Sequence, residues 1–342
     1  MTTLDETARA IVADGKKGIL AADETPPTIA KRFVMYGIES TADTRRAYRE
    51  MLFSTPGISQ FIGGVILQDE TIRQNASSGT PLVELVEKQG MIPGIKVDGG
   101  AKPLAGLPRE VVTEGLDGLR ERLTTYRQIG ARFAKWRAVI RIGQGLPTVA
   151  CVNANAAALA RYAALCQEQD LVPIVEPEVL MDGPHPIERC EQVTDWVLQA
   201  VFDELYTQRV RLEAMLLKPG MVMSGSTCPR QATVPEVAEA TVRTLARHVP
   251  AAVPAIVFLS GGQDHLDATE HLNAINQLGA RKPWILSFSF GRGLQDEAMA
   301  AWRERSENVA TAQRAFYHRA ECDTAAVGGH YARALEGEPA PI

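Results

Sequence analysis

The 342-residue chain has the composition of a globular protein, with 45% hydrophobic and 23% charged residues, enough apolar content for a large core. Its formal net charge of −5 argues against nucleic acid as the main partner, because nucleic-acid-binding proteins usually carry a basic excess. The five cysteines, at positions 151, 166, 190, 228 and 322, include no CxxC pair and indicate neither a disulfide framework nor a zinc site. We therefore expect reduced thiols, as in a cytoplasmic protein.

The chain begins with a predicted helix rather than a signal peptide. Thr3 and Glu6 have capping-box spacing, apolar residues from Leu4 to Val12 recur at helical spacing, and Gly15 can end the helix. No stretch reaches the roughly 20 apolar residues of a membrane span. The sequence thus predicts a soluble protein that does not enter a membrane.

Short apolar runs rich in β-branched residues then alternate with longer helical patterns. The helical patterns cover 116–129 before Gly130, 190–205, a helix opened by Thr233 and Glu236, and 268–278 before Gly279. The eight predicted strands are Gly18 to Asp23, Gly64 to Gln68, Ile92 to Asp98, Phe133 to Ile140, Leu171 to Glu178, Ala214 to Pro219, Ala255 to Gly261 and Trp284 to Gly291. Such alternation is typical of a parallel sheet covered by helices on both faces.

Eight such units fit a (β/α)₈ TIM barrel, an α/β fold that commonly spans about 200 to 400 residues. We predict one barrel domain over residues 1–342, with an N-terminal helix and a C-terminal helical region ending in a flexible tail at 335–342. A doubly wound open sheet is the alternative, but no GxGxxG or GxxxxGK[ST] fingerprint supports it.

Lys218 is conspicuous because it follows the apolar run 214–217 in a chain with only nine lysines. Burial disfavours the charged form of an amine and makes the amine available as a nucleophile, which suits Schiff-base chemistry. The alternative is a lysine that reaches from a strand end to solvent.

Strand alternation places charged residues together on one face of several predicted strands. It pairs Lys135 with Arg137, Glu176 with Glu178, Lys96 with Asp98, and Ala21 with Asp23. Because proline cannot donate a ladder hydrogen bond, Pro177 and Pro219 predict that two of these strands end there. Lys218 and Glu176 would then lie at the carboxyl ends, where barrel active sites are built. A polar interior layer could explain one such residue but fits the whole set less well.

The charged residues at the predicted strand ends support attack of a lysine on a ketone. This reaction needs a free amine, a proton shuttle and a base for a substrate hydroxyl. Lys218, Glu176 and Asp23 can supply these groups. If Lys135 lies nearby, like-charge repulsion would further favour the neutral amine of Lys218.

Two strand ends have features of an anion site, since glycines let backbone N–H groups approach a phosphate. The residues are Ser260, Gly261 and Gly262 after the seventh strand, and Gly291 and Arg292 after the eighth. The serine–glycine run alone is also compatible with a simple tight turn. Lys96 and Arg137 would form a second anion site, which implies a substrate charged at both ends.

The six histidines show no HExxH motif and no strand-end cluster, so we predict neither a metal nor a cofactor. His265 and His271 are expected to be solvated residues of a helix.

Taken together, these segments resemble class I fructose-1,6-bisphosphate aldolases, which are metal-independent Schiff-base enzymes. The matching segments are GILAADE (18–24), GGVIL (63–67), GIKVD (94–98), FAKWR (133–137), PIVEPEV (173–179), LLKPGMV (216–222), FLSGGQ (258–263), LNAIN (272–276) and SFSFGRGLQ (287–295). They occur in order through all eight predicted strands.

The resemblance implies that Lys218 forms the imine, that Glu176 is the acid/base for imine formation, and that Asp23 takes the proton of the substrate C4 hydroxyl. It implies that Lys135 and Glu178 support the charge network of these residues. The residues that it implies for the C1 phosphate are Ser260, Gly261, Gly262, Gly291 and Arg292. It assigns Lys96 and Arg137 to the other end of the substrate, and Lys31 with Arg32 to a basic pair at the mouth. It also implies a homotetramer.

The chain departs from the family pattern at three places. It ends without the tail tyrosine that assists proton exchange in animal members, and its last tyrosine, Tyr331, lies too far upstream. Residues 25–28 read Thr-Pro-Pro-Thr where relatives usually have serine and glycine, and Gly99 stands where many have lysine.

The leading hypothesis is reversible cleavage of fructose 1,6-bisphosphate to dihydroxyacetone phosphate and glyceraldehyde 3-phosphate, a step of glycolysis and gluconeogenesis. The alternatives are the same chemistry on sedoheptulose 1,7-bisphosphate and a phosphosugar-binding scaffold without catalysis.

Overall fold

The computed structural model describes residues 3–337 and shows a closed barrel of parallel strands, which confirms the predicted fold. The strands are β1 (Gly18–Ala21), β2 (Ile62–Leu67), β3 (Ile92–Lys96), β4 (Ala101–Leu104), β5 (Leu107–Thr113), β6 (Phe133–Ile140), β7 (Val172–Val179), β8 (Leu216–Leu217), β9 (Ala255–Phe258) and β10 (Ile285–Phe290). Strands β4 and β5 form a separate antiparallel hairpin, and the other eight close the barrel in chain order, with β10 beside β1.

Helices surround this barrel on the outside, and each of the four predicted from the sequence is present. The helices are α1 (Leu4–Ile11), α2 (Pro26–Val34), α3 (Ala42–Phe53), α4 (Asp69–Ile72), α5 (Leu82–Lys88), α6 (Leu119–Ile129), α7 (Val149–Glu168), α8 (Ile187–Thr207), α9 (Val234–His248), α10 (His265–Gln277), α11 (Arg292–Trp302) and α12 (Val309–Val327). Short 3₁₀ turns lie at Ala13–Gly15, Ile58–Gln60, Leu212–Ala214, Ser306–Asn308 and Arg333–Gly337.

Local sequence signals set most helix ends. Both predicted capping boxes form, at Thr3 of α1 and Thr233 of α9. Gly130 follows α6 with a φ of 131°, which a side chain would disfavour. Gly15 instead ends the 3₁₀ turn after α1, and α10 ends at Gln277, ahead of Gly279.

The barrel interior is apolar at its lower end and polar at its mouth. Phe133 packs inside with residues of α1, whereas Ala134 and Trp136 belong to the core between sheet and helices. Lys135 lies on the same face as Phe133, two residues closer to the carboxyl end, and lines the cavity there. The face assignment from strand alternation is therefore confirmed for β6.

Several strand boundaries differ from the prediction, and two of these differences affect where site residues lie. Strand β7 continues through Pro177 to Val179, paired with β6, whereas the sequence predicted its end at the proline. Its pairing with the two-residue β8 stops at Val175, so Pro177 lies where one edge of β7 is no longer bonded and its missing N–H is tolerated. Strand β1 ends at Ala21, and Asp23 therefore lies in the following loop.

The C-terminal region packs against the barrel helices. Helix α12 contacts α10 and α11, and the turn Arg333–Gly337 returns to it through an ion pair between Glu336 and Arg319. The predicted flexible tail begins within this turn, where Leu335 packs against the core and Glu336 is held by its ion pair. Residues 338–342 lie outside the described part of the chain.

Helix α7 is long and apolar enough, by length and composition, to cross a membrane, which corrects the expectation that no segment would be. Its buried residues pack against β6 and β7. This packing explains its apolar composition as that of a core helix.

Gly94 in β3 provides a test of the packing inside the barrel. A Cβ added there would lie 2.2 Å from the ring of Phe133, which is fully buried and cannot move aside. We expect Gly94→Ala to destabilise the fold by about 1–3 kcal/mol through overpacking, measured by urea unfolding. Gly279→Ala, where an added Cβ meets nothing within 4 Å, is the matched control. Equal unfolding midpoints for the two variants would contradict the packing argument.

Candidate active site

Four buried charged residues form the centre of the cavity at the carboxyl ends of the strands. Lys135 Nζ lies 2.6 Å from Asp23 Oδ2 and 3.1 Å from Glu176 Oε2. The other carboxylate oxygen of Glu176, Oε1, lies 3.2 Å from Lys218 Nζ. The sequence prediction that these four side chains converge is thus confirmed by the geometry, and we call them the central quartet.

Mutual charge compensation keeps Asp23, Glu176 and Lys135 ionised. Burial opposes the charge of Asp23, but Lys135 and Lys218 outweigh that effect and lower its pKa to about 2. Burial likewise disfavours the carboxylate of Glu176 and the ammonium of Lys135. The attraction between their opposite charges outweighs the cost of burial, so the pKa of Glu176 is lowered and the pKa of Lys135 is raised. The quartet thus places two amines in contact with two carboxylates.

The backbone explains how Lys218 arrives at the centre. Its N–H donates to the carbonyl of Val175 in β7 at 2.8 Å, directly after the last residue of β8. Pro219 follows, and its carbonyl accepts from the N–H of Leu259 at 3.1 Å. Strand β8 ends at Leu217, two residues before the predicted end at Pro219, and Lys218 follows it at the rim with its side chain 4% exposed.

The cavity has a volume of about 570 Å³ and opens to solvent. Nearly all residues singled out in the sequence line it: Asp23, Lys31, Arg32, Lys96, Lys135, Arg137, Glu176, Glu178, Lys218, Ser260, Gly261, Gly291 and Arg292. Gly262 does not line it but adjoins it, since a Cβ added there would lie 3.2 Å from Arg292 Nη2.

One side of the cavity has features suited to an anion. Gly261 and Gly262 have φ of 60° and 93°, and Ser260 lies buried before them. The carbonyl of Ser260 accepts from the N–H of Gln263, so the segment is also the tight turn that the alternative interpretation expected. Arg292 lies exposed beside this turn and forms no ion pair among residues 3–337.

Carboxylates hold the cations on the opposite side. Arg137 pairs with Glu178, which raises the pKa of Arg137 despite its burial. Lys96 pairs with Asp98 and also donates to the Asp98 carbonyl at 3.0 Å. This side therefore offers cations whose present partners a substrate anion would have to share.

The basic pair at the mouth divides into two different environments. Lys31 is exposed, whereas Arg32 is buried and paired with Glu24 and Asp296, the latter at 2.8 Å. Burial opposes the charge of Arg32, and these carboxylates outweigh it and raise its pKa. Arg32 is thus a neutralised cation, and Lys31 is the exposed member of the pair.

Sequence reasoning did not single out several residues that line the cavity. No sequence pattern marks Glu24 and Asp296 as site residues, because both line the cavity through their ion pairs with Arg32, which α2 brings between them. Ser289 had a signal, since alternation along β10 places it on the inner face. Its hydroxyl is buried without a hydrogen-bond partner.

Two departures from the family pattern have a local structural explanation. Thr25 precedes α2, and its hydroxyl lies 2.9 Å from that of Thr28, so both hydroxyls still face the cavity. Pro26 occupies the first helical position, where its missing N–H is not needed. Gly99 donates to the carbonyl of Glu114 at 2.7 Å, and an added Cβ would lie 3.1 Å from that oxygen.

The prediction that His265 and His271 are solvated residues of a helix was correct for His265 and wrong for His271. His265 is partly exposed at the start of α10, 3.3 Å from Glu297. His271 is buried, and its Nδ1 lies 2.7 Å from Gln263 Oε1. The prediction for His271 was wrong because the loop before α10 folds back over the ring and shields it from solvent.

A (β/α)₈ barrel with titratable side chains converging at the carboxyl ends of its strands has the architecture of a barrel enzyme. A profile of the family described as "Fructose-bisphosphate aldolase class-I" matches residues 3–340. The chain belongs to this family, which is a family of lyases.

Individual relatives agree with this assignment over nearly the whole chain. A protein of Xanthomonas axonopodis pv. citri, named "Probable fructose-bisphosphate aldolase class 1", is 57% identical over 93% of this chain and 95% of its own. "Fructose-bisphosphate aldolase 4, cytosolic" of Arabidopsis thaliana is 52% identical over 95% and 83%. A solved fructose-bisphosphate aldolase structure from Plasmodium falciparum has a TM-score of 0.94 at 48% identity, covering 96% of this chain and 95% of that one.

The ion pairs of the quartet predict that replacing Lys135 lowers the free energy of unfolding by an amount that depends on pH. The depressed pKa of Asp23 contributes stability above its unfolded value of 3.8, and this contribution is lost as the pH falls toward about 2. Lys135→Met leaves two buried carboxylates short of a cation, so we expect a loss of about 3–5 kcal/mol at pH 7. Because protonation relieves that defect, the loss should shrink toward pH 3.

Urea unfolding of the wild type and the variant at both pH values measures this effect. Lys88→Met removes an exposed lysine that pairs with Glu84 and is the matched control. A loss for Lys135→Met that is independent of pH would contradict the role of Lys135 in holding Asp23 and Glu176 ionised.

Proposed function

We propose that this protein is a class I fructose-bisphosphate aldolase that cleaves fructose 1,6-bisphosphate through an imine on Lys218. The observation that carries the proposal is the central quartet, in which a buried amine lies 3.2 Å from Glu176. A phosphosugar-binding scaffold has no need of a buried amine in contact with a proton shuttle. The lyase family to which the chain belongs supports the same reaction.

Imine formation follows from the contact between Lys218 and Glu176. Transfer of a proton from the ammonium to the carboxylate gives a free amine and a carboxylic acid in one step. The amine then attacks the C2 carbonyl, and the resulting carbinolamine loses its hydroxyl as water with the proton held by Glu176. Lys135 holds the other oxygen of Glu176 and keeps it oriented toward Lys218.

Carbon–carbon cleavage requires a base that stays ionised in a buried site. Asp23 meets that requirement, since its pKa is about 2. As Asp23 takes the proton of the C4 hydroxyl, the electrons of the C3–C4 bond move to the iminium. Glyceraldehyde 3-phosphate then leaves, and the enamine remains on Lys218. Protonation of the enamine and hydrolysis of the imine release dihydroxyacetone phosphate.

The two ends of the cavity suit the two phosphates of such a substrate. We assign the C1 phosphate to the turn of Ser260, Gly261 and Gly262, with Gly291 and Arg292 beside it. Lys96 and Arg137, with Lys31 and Arg32 at the mouth, are assigned to the other end, and Glu178 orients Arg137.

The setting of the enzyme is inferred from its relatives. One of them is named as cytosolic, which supports a cytoplasmic location. We also propose that the protein is a homotetramer and that it acts in glycolysis and gluconeogenesis.

Comparison of kcat/KM for fructose 1,6-bisphosphate and sedoheptulose 1,7-bisphosphate decides between these two substrates.

Borohydride trapping tests the imine. Reduction in the presence of dihydroxyacetone phosphate should attach the substrate covalently to Lys218, as read by peptide mass spectrometry. We expect Lys218→Ala to lose the adduct and to lower kcat by about 10⁴-fold or more. Lys88→Ala, which removes an exposed lysine, should keep both. Normal cleavage by Lys218→Ala would sink the assignment.

A chelator assay tests whether a metal takes part in the cleavage. Because a protonated imine can accept the electrons of the broken bond, turnover should be unchanged within about twofold in excess EDTA. A coupled assay of glyceraldehyde 3-phosphate release measures it. Loss of activity with EDTA, restored by Zn²⁺, would favour a metal-assisted aldolase, and no turnover in either condition would favour the scaffold.

A further inference from the structure

A second cluster of reactive side chains lies outside the cavity, where α12 meets the C-terminal turn. His318 and Cys322 are one helical turn apart on α12, so they share a face. Glu336 approaches them from the turn Arg333–Gly337. Their ligand atoms all lie within 4.8 Å of one another, and none of the three residues lines the active-site cavity.

Two of the distances within this cluster are slightly longer than the ligand spacing of a tetrahedral ion. His318 Nε2 lies 3.8 Å from Cys322 Sγ and 4.0 Å from Glu336 Oε2. Ligands of a tetrahedral Zn²⁺ are about 3.4–3.6 Å apart, given the usual zinc bond lengths. Side-chain rotation would have to bring the two distances from His318 closer by a few tenths of an ångström, and the third pair, Cys322 and Glu336, lies within 4.8 Å.

The imidazole of His318 supplies an independent observation. It is 8% exposed, and its Nδ1 is buried without a hydrogen-bond partner among residues 3–337. Its Nε2, the nitrogen that faces the cluster, has within the same residues the 3.8 Å contact with the thiol and the 4.0 Å approach of Glu336 Oε2, both longer than an ordinary N–H···O hydrogen bond. Buried polar groups normally find partners, because an unsatisfied one costs about 1–3 kcal/mol. The ring is thus a buried ligand whose hydrogen-bonding capacity the protein leaves nearly unused.

The surroundings suit a divalent cation. Tyr331 donates to Glu336 Oε1 at 2.6 Å, and Arg319 donates to both oxygens of Glu336, which fixes the carboxylate toward His318. A thiolate and a carboxylate balance the two charges of the ion. Arg319 is shared between Glu336 and the buried Asp323, which lies 3.6 Å from it.

We propose that His318, Cys322 and Glu336 bind a borderline transition-metal ion such as Zn²⁺, which joins the C-terminal turn to α12. A nitrogen, a sulfur and an oxygen ligand suit zinc better than Mg²⁺ or Ca²⁺, which prefer oxygen alone. The thiol proton leaves to solvent as the ion binds. The site departs from the sequence-based prediction of no metal, because that prediction considered only CxxC and HExxH spacings.

The metal's role in this position is structural. Glu336 is the one ligand that lies outside α12, so the ion would fix the path of the chain after the last long helix. Cleavage at Lys218 requires none of the three residues. Metal binding and the proposed aldolase reaction can therefore be tested separately.

Cobalt is the probe, because a Co²⁺ thiolate bond gives a near-ultraviolet charge-transfer band. We expect chelator-treated full-length protein to bind one equivalent of Co²⁺ with this band and to release it to Zn²⁺. Cys322→Ser should abolish the band, and Glu336→Gln should weaken Co²⁺ binding by at least about tenfold while the thiol remains. Circular dichroism and aldolase turnover in EDTA verify that each variant is folded.

Cys228→Ser is the matched control, since Cys228 is the most exposed of the five cysteines and has no histidine among its hydrogen-bonding partners in the described chain. This variant should bind Co²⁺ as the wild type does. The proposal is overturned if no thiolate band appears, if the band survives in Cys322→Ser, or if Cys228→Ser removes it.

Discussion

Lys135 lies buried between two carboxylates, and the chemistry of the barrel mouth depends on this contact. Burying a single charge costs several kcal/mol, and a buried pair is tolerated only when its geometry is good. Lys135 is 2.6 Å from Asp23 and 3.1 Å from Glu176, which leaves Glu176 with one oxygen for Lys218. The same lysine thus keeps the carboxylate of Asp23 ionised and positions that of Glu176 beside the amine of Lys218.

The rest of the barrel makes this arrangement possible. Phe133 fills the interior below Lys135, and α1 packs against it from the amino ends of the strands. Because this layer excludes water, the charges above it interact in a medium where they are strong. The glycines on the inner face of β2 and β3 follow from the same constraint, since Gly64 and Gly94 leave room for the ring of Phe133.

Charge is distributed differently at the rim than at the centre. Arg137, Lys96 and Arg32 all have carboxylate partners, whereas Arg292 has none among residues 3–337. An anion therefore meets an uncompensated cation on the side of Arg292, whereas most cations on the opposite side are compensated and Lys31 is the exposed exception. This asymmetry makes the two ends of the cavity unequal toward an anion.

The sequence alone determined the order of strands and helices, the face of β6 that carries Lys135, and the position of Lys218 at a strand end. These features depend on periodicity and on proline chemistry, which are local. Sequence could not show that Pro177 lies inside β7, that Arg32 is neutralised by Asp296, or that Glu336 returns to His318. Each of these depends on which residues distant in the chain become neighbours. Closure of the barrel and packing of the last turn determine which distant residues become neighbours. They bring separate elements within the few ångströms over which charges pair and ligands converge.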